Sequence, residues 1–312
     1  MLIKLRNPYR GSHRGKGRGT LIAPGTLAQA IISGILLGGI YALMSIGLNL
    51  IFGVVKVVNF AHGEFLMVGM YIAYWAFALY GLDPYVSLPL VALSILALGA
   101  MTQGLIINPL LKTKDINQVL ATIGLMIFLE NLALFLWKSD FRSVLTAYSA
   151  ASISIGEIRL SLSRIFAFAV AMSTAIVLYF LLTKTDVGRR IRAVAQDAEA
   201  AELMGIDHRR IYIATFGLGG ALVGVAAAAM SPIYYAFPTV GALFGPTAFI
   251  VVVLGGLGSF IGAMVGGLII GIVESIAGVL TNAELAKAFA FAIFLLVLFR
   301  KPTGLFGERA RV

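Results

Sequence analysis

Long apolar runs, divided by short polar segments, make up most of the chain from Thr26 onward. A helix that crosses the hydrocarbon core of a bilayer needs about 20 consecutive, mostly apolar residues. Most of the runs reach or approach that length, so the pattern predicts an all-α polytopic membrane protein. Composition agrees, because 60% of the 312 residues are hydrophobic, 12% are charged and the mean hydropathy is +0.96. Soluble globular domains have a much lower share of apolar residues.

Ten apolar runs can be distinguished, and two of them are too short to cross the membrane as plain helices. In order, the runs are Thr26–Met44, Ile46–Val55, Phe60–Tyr80, Val86–Leu111, Ile116–Trp137, Ile165–Thr183, Ile211–Ser231, Thr247–Leu257, Phe260–Leu280 and Leu285–Phe299. Lys and Arg mark cytoplasmic loops. All basic segments can be cytoplasmic together only if both short runs cross. If Ile46–Val55 were the end of a long first helix, the basic N-terminus would face outward.

We therefore expect eight to ten membrane helices, including two short or broken segments, with both termini cytoplasmic. The sequence divides into a basic cytoplasmic N-terminal arm (1–25), a transmembrane domain (26–300) with a cytoplasmic loop at 184–210, and a cytoplasmic tail (301–312). The net charge of +10 is spread over these inner loops, where topology and anionic lipid explain it, and nucleic-acid binding is not expected.

Interrupted, Gly-rich helices in both halves of a chain indicate a transport pathway. Polar residues inside apolar runs also need a partner or water. Together these features give candidate path residues: Asn49, Asn59, His62, Glu64, Glu130, Asn131, Gly255, Gly256, Gly258, Ser259 and Glu274. The alternative for each polar residue is a hydrogen bond that fastens two helices, and His62 and Glu64 could also mark the interfacial entrance of a helix.

A metal site is not expected in this chain. His62 and Glu64 are two residues apart, so they point to different sides of a helix, and the sequence has no cysteine.

The loop at 184–210 has the sequence of a short docking helix. Asp197 is a good N-cap for a helix over 198–204, and Gly205 suits a left-handed stop. Ala198, Ala201 and Gly205 share a small face that could dock in a groove of another protein. Three preceding basic residues, Arg189, Arg190 and Arg192, offer charge pairs. A helix lying on the membrane surface is the alternative.

The chain itself carries no nucleotide-binding loop. Its nearest lookalike, residues 11–17, has the wrong spacing and follows no strand. A docking helix without a motor suggests a transport subunit driven by a separate ATPase. The main rival is an ion-coupled secondary carrier or channel that works alone, favoured by the intramembrane acids; a membrane enzyme lacks a nucleophile or metal constellation.

Several stretches resemble the branched-chain amino acid permease family of ABC importers. They are Gly188 to Asp197, Glu199-Ala200-Ala201 with Gly205, Gly47 to Leu50 with Asn59-Phe60-Ala61-His62-Gly63-Glu64, Phe249 to Gly262, and Pro302 to Gly307. The resemblance spans residues 26–307, and the chain is most similar to the shorter of the two paired permeases.

The resemblance implies a type II ABC importer-like fold and a non-catalytic subunit in a prokaryotic plasma membrane. The expected partners are a second permease subunit, either a different chain or a second copy of this one, two cytoplasmic ATP-binding subunits and an external solute-binding protein. ATP and magnesium would sit on the ATP-binding subunits, with no cofactor in this chain. The loop around Asp197, Ala200 and Gly205 would receive the motion of the ATPase. Branched-chain amino acids are the implied cargo, with urea, short amides and other polar amino acids as alternatives.

Overall fold

The computed structural model describes residues 24–307, without the side chains of residues 24, 283 and 284. Within this range the chain is mostly helical. In chain order, the helices are α1 (Pro24–Val55), α2 (His62–Tyr80), α3 (Leu88–Met101), α4 (Asn108–Leu110), α5 (Asp115–Trp137), α6 (Leu162–Lys184), α7 (Asp186–Gln196), α8 (Ala198–Leu203), α9 (His208–Met230), α10 (Val240–Gly255), α11 (Phe260–Leu280) and α12 (Ala283–Arg300). A π-helical stretch, Thr102–Ile107, joins α3 to α4.

One antiparallel hairpin interrupts the helices, formed by β1 (Ser152–Ile155) and β2 (Ile158–Ser161) with Ser152 opposite Ser161. Seven helical stretches of the described residues are long and apolar enough to cross a membrane. They are α1, α2, the stretch from α3 to α4, α5, α6, α9 and α11. The all-helical polytopic fold predicted from the sequence is thus confirmed.

The centre of the bundle is an antiparallel pair of helices, α1 and α11, held together by glycine. A Cβ on Gly38 would lie 2.8 Å from the carbonyl oxygen of Gly267, and one on Gly34 would lie 2.6 Å from the Cα of Ile272. Membrane helices associate through such close approach, since lipid supplies no hydrophobic drive between them. Ser275 adds a hydrogen bond to the carbonyl of Ala30, 2.7 Å away.

The bundle has two ends, which we name by what lies there. The hairpin end carries β1–β2, and the start of α1 lies there because Gln29 accepts from the Arg159 amide at 2.7 Å. The coupling end carries α7 and α8. The residues after α12 also lie at this end, where the Leu305 amide donates to the Leu254 carbonyl at 2.8 Å.

The structure corrects the predicted topology at the first apolar stretch. The run Ile46–Val55 is the last third of the continuous 32-residue helix α1, and is not a separate crossing. The second predicted short segment is real: α10 has 16 residues and contains Pro246.

A continuous α1 changes the relation between the two chain ends. The described chain starts at the hairpin end and finishes at the coupling end, so the prediction that both termini share one side does not fit residues 24–307. The basic arm itself, apart from its last two residues, lies outside the described part.

The hairpin end is tied together by aromatic side chains. The hydroxyl of Tyr148 donates to Asp83 at 2.7 Å, and that of Tyr85 donates to the Ser163 carbonyl at 3.2 Å. Burial, with a smaller contribution from Asp83, raises the pKa of both tyrosines above the usual range, so both remain hydrogen-bond donors. Arg142 lies over the rings of Tyr74 and Trp75, with its guanidinium carbon 5.4 and 5.2 Å from the centroids.

Candidate translocation path and coupling surface

Four of the predicted path residues meet in one cavity at the start of α2, which we call the Glu64 cavity. Its volume is about 480 Å³, and Asn59, His62, Glu64 and Glu130 all line it. The segment between α1 and α2 turns back into the bundle, because the Nε2 atom of His62 lies 3.0 Å from the Met44 carbonyl, about two-thirds of the way along α1. The first turn of α2 is therefore buried, and Glu64 is only 2% exposed.

Glycine allows α2 and α10 to approach each other at this cavity. A Cβ on Gly241 would lie 2.7 Å from the Gly63 carbonyl and 2.8 Å from Oε1 of Glu64. Pro246, one turn further along α10, has no N–H to donate to the Ala242 carbonyl. Both Ala242 and Pro246 line the cavity, so this wall offers backbone acceptors as well as apolar surface.

Aromatic side chains that the sequence analysis did not single out form the apolar walls. They are Phe60, Phe249, Phe291 and Phe294. Phe60 stacks on Phe249 with the ring centroids 5.6 Å apart. Phenylalanine is frequent throughout this chain, with 20 in all, so its presence in a run carries no positional signal. Phe60 alone could have been noticed, as a member of the polar stretch from Asn59 to Glu64.

A second group of predicted path residues forms a polar clamp at the coupling end. The Nδ2 of Asn49 donates to the Ser259 carbonyl at 2.6 Å and to the Gly256 carbonyl at 3.4 Å, and its Oδ1 accepts from the Gly258 amide at 2.6 Å. Gly256 and Gly258 have φ of +107° and +83°, a region that favours glycine. Asn49 thus holds the turn between α10 and α11, and it does not line the Glu64 cavity.

Substituting Asn49 with Leu is expected to lower the free energy of unfolding by about 1 to 3 kcal/mol, because the buried Asn49 amide is lost and the part-buried Gly258 N–H and Ser259 carbonyl lose their partner. The matched control is Asn131→Leu, which should change stability little, since Asn131 bonds only to its own helix at Ile127. Thermal unfolding of both purified variants in detergent measures the difference. Equal melting temperatures for the two variants would show that the hydrogen bonds of Asn49 do not stabilise the fold.

The remaining predicted path residues lie elsewhere. Glu274 lines a neighbouring cavity of about 380 Å³ together with Lys287, on the other side of α10. Asn131 is exposed on the outer surface of α5, one residue after Glu130. Gly255 packs against Gly262, where neither could carry a Cβ. Within residues 24–307, no three His, Asp or Glu side chains come together as a metal site.

The predicted docking helix is present at the coupling end, with the predicted caps. The Asp197 carboxylate accepts from the amides of Glu199 and Ala200 at 3.0 and 2.9 Å. Gly205 has φ +81°, and its amide donates to the Glu202 carbonyl at 2.9 Å. The next amide, of Ile206, reaches back to the Ala201 carbonyl at 3.0 Å, which completes a Schellman-type stop.

The small face of the docking helix packs on the bundle, and the apolar side chains at its C-terminal end are exposed. Ala201 is buried, whereas Leu203 is 90% and Met204 82% exposed. Before it, α7 buries Gly188, Ile191 and Val194 and exposes Arg189, Arg190 and Arg192. A Cβ on Gly188 would collide with the carbonyls of Leu181 and Leu182, so the turn from α6 into α7 is tightly fixed.

A wide polar groove lies beside α8, with a volume of about 900 Å³. Lys56 at the end of α1, Lys112 after α4, and Glu199, Glu202 and His208 line it. His208 pairs with Glu202 through Nδ1 at 3.0 Å. Helix α8 therefore contacts the start of α9, and the ends of α1 and α5 lie along the same groove.

Sequence similarity to known proteins identifies the family of this chain. The family described as "Branched-chain amino acid transport system / permease component" matches residues 30–298. The chain is 33% identical to the high-affinity branched-chain amino acid transport system permease protein BraD of Pseudomonas aeruginosa, over 90% of this chain and 95% of that protein. It is 31% identical to the LivH permease protein of Escherichia coli K12, over 90% and 95%.

An archaeal protein is similarly related. The probable branched-chain amino acid transport permease protein LivH of Methanocaldococcus jannaschii is 32% identical over 82% of this chain and 81% of its own length. The family match covers most of the transmembrane domain, including the Glu64 cavity, the Asn49 clamp and the docking helix. The chain belongs to the branched-chain amino acid permease family of transport systems.

Proposed function

We propose that this chain is the membrane-spanning subunit of an ATP-driven importer, that it forms the translocation path with a second permease subunit, and that the cargo is a branched-chain or related amino acid. The proposal rests on the docking helix. This helix is capped at its N-terminus and packs on the bundle by one face, and it exposes two apolar side chains, Leu203 and Met204. An exposed apolar tip of this kind suits the groove of a soluble partner. Two ATP-binding subunits, which supply ATP and magnesium, would engage it.

Orientation follows from this assignment. With the ATPase subunits in the cytoplasm, the coupling end faces inward, and the hairpin end faces outward to receive cargo from a solute-binding protein. ATP binding would move α8, and with it the bases of the helices around the groove. The chain would then lie in a prokaryotic plasma membrane. It would hydrolyse nothing itself, because hydrolysis belongs to the partner subunits.

The sparse packing of α5 supports a second permease subunit. Its exposed apolar side chains, at Ile127, Phe128, Phe135 and Leu136, lie on the helix that contributes Glu130 to the Glu64 cavity. A polar cavity beside a face open to lipid would cost free energy. A partner helix bundle on this face would close the cavity from lipid and complete the path.

The purified complex, reconstituted in liposomes with its ATP-binding subunits, second permease and binding protein, is expected to accumulate labelled leucine or valine only when ATP and the binding protein are both supplied. The control is the same chain reconstituted alone. Gradient-driven uptake by the chain alone would overturn the proposal in favour of an ion-coupled carrier. ATP-driven uptake of urea or a short amide, without branched-chain amino acids, would retain the importer and change its cargo.

A further inference from the structure

We infer that the Glu64 cavity is a binding site for the zwitterionic head group of an α-amino acid, with the ammonium group held at Glu64 and the carboxylate at Asn59. The inference rests on the proposed transport function and adds the chemistry by which the path recognises its cargo. It gives specific roles to residues that sequence alone marked only as polar. Three kinds of group form the site: hydrogen-bond acceptors, a hydrogen-bond donor and apolar side chains.

Acceptors for an ammonium group lie together on one part of the wall. Glu64 and Glu130 both line the cavity, and the described lining holds no Lys or Arg to neutralise them. Neither acid takes part in any of the ion pairs within residues 24–307. A buried carboxylate without a cation is costly, and a bound ammonium group would remove that cost. The Ala242 carbonyl, freed by Pro246, adds a backbone acceptor nearby.

A donor without a partner lies on the same wall. Asn59 is 1% exposed, and its Oδ1 accepts from the Ala61 amide at 3.1 Å, which fixes the orientation of the side-chain amide. Its Nδ2 then has no hydrogen-bond partner among the described residues. An unsatisfied buried N–H costs about 1 to 3 kcal/mol. The carboxylate of a bound amino acid would satisfy it, and the N-terminus of α2 at Gly63 would favour the same negative group.

His62 also lines the cavity, and its hydrogen bond to Met44 fixes the tautomer of its ring. A carbonyl can only accept, so the bond to Met44 requires the proton on Nε2, and the neutral ring then presents Nδ1 as an acceptor. This Nδ1 is buried and has no partner in residues 24–307. The hydrogen bond to Met44 fixes the position of the His62 ring, so this ring links α2 to α1.

The combination of groups selects a zwitterion over other solutes. A bare cation would satisfy Glu64 and leave the Asn59 N–H unpaired, and an anion would meet two carboxylates. A neutral amide would leave Glu64 without a positive partner. The walls formed by Phe60, Phe249, Phe291 and Phe294 suit an apolar side chain attached to the zwitterion.

The test uses the whole reconstituted complex and two substitutions of nearly constant shape. Glu64→Gln removes the charge that holds the ammonium group, and Asn59→Asp replaces the N–H donor by an oxygen that repels a carboxylate. Each is expected to lower leucine uptake per ATP hydrolysed about tenfold or more, because each removes one charge-assisted hydrogen bond. ATP hydrolysis stimulated by the loaded binding protein should persist, since α8 is unchanged. Glu64→Asp, which keeps the charge, should restore part of the uptake.

Matched controls separate this inference from the proposed function. Glu274→Gln makes the same change in the neighbouring cavity, and Asn131→Asp makes the same change on the exposed face of α5. Both should keep uptake within about twofold of wild type, because neither residue lines the Glu64 cavity. Melting temperatures confirm that each variant is folded. If wild-type complex transports leucine and folded Glu64→Gln and Asn59→Asp do so equally well, the site assignment is wrong while the transport function stands. If wild-type complex shows no ATP-driven uptake, the proposed function itself fails.

Discussion

Changing both Leu203 and Met204 to Glu is expected to abolish ATP-driven uptake while leaving the chain folded in the membrane. Both side chains are almost fully exposed at the tip of the docking helix, so they contribute little to the fold of this subunit. Burial of an apolar anchor in a partner groove is worth about 2 kcal/mol per residue at an interface hot spot, so the affinity for the ATPase subunits should fall at least about 100-fold. Co-purification of the ATPase subunits and substrate-stimulated ATP hydrolysis measure the loss.

Two controls define what the loss means. Exchanging the pair, Leu203→Met with Met204→Leu, keeps an apolar tip of nearly the same volume and should preserve co-purification. Leu145→Glu introduces one such charge at a leucine that is 75% exposed near the hairpin end, and it should also leave ATPase binding intact. Normal ATPase binding by the doubly charged tip would assign coupling to another surface, such as the groove at Lys56 and Glu199.

The docking helix could be predicted from sequence because its caps are local. An Asp accepts from amides two and three residues on, and a glycine ends a helix in the left-handed region; both depend on short segments of chain. The structure shows these bonds at Asp197 and Gly205. Neither depends on which helices pack nearby.

The course of α1 could not be predicted in the same way. Ser45, Gly47 and Asn49 interrupt its apolar pattern, and a run-by-run division treats such residues as a break. In the folded chain Ser45 donates to the Ala248 carbonyl at 3.2 Å, and Asn49 bonds to the turn before α11. These partners lie some 200 positions away in the chain. A helix can continue through polar residues when distant segments supply their hydrogen-bond partners. The local sequence does not show which distant segments will do so.

The membership of the Glu64 cavity was predicted in part. The polar stretch from Asn59 to Glu64 stood out in an apolar chain, and five of its six residues line one cavity. Glu130 and Asn131 looked equivalent, but neighbouring residues on a helix point about 100° apart, and here Glu130 faces the cavity while Asn131 is exposed on the outside of α5. Glu274, on α11, lies on the other side of α10 from the Glu64 cavity. Which face of a membrane helix meets its neighbours is decided by packing.

Replacing Gly271 with Leu is expected to prevent the chain from folding. Gly271 lies against the backbone of Gly34 and Gly38 where α1 and α11 cross, and even a Cβ would collide with main-chain atoms that cannot move aside. Overpacking of a core costs about 1 to 3 kcal/mol when side chains can yield, and more when the obstacle is backbone. Because α1 and α11 form the central pair, their separation would also pull apart the Asn49 clamp. Size-exclusion chromatography in detergent should show aggregate in place of a single folded species.

Gly278→Leu supplies the matched control on the same helix. Gly278 is exposed, and the nearest atom to a Cβ there is that of Ala286 at 3.9 Å, so a leucine meets lipid and one side of α12. Leucine also favours a helix over glycine by about 1 kcal/mol, so this variant should fold at least as well as wild type. The contrast isolates close backbone approach from helix propensity and from added apolar volume. A folded, monodisperse Gly271→Leu protein would mean that α1 and α11 do not pack through their glycines.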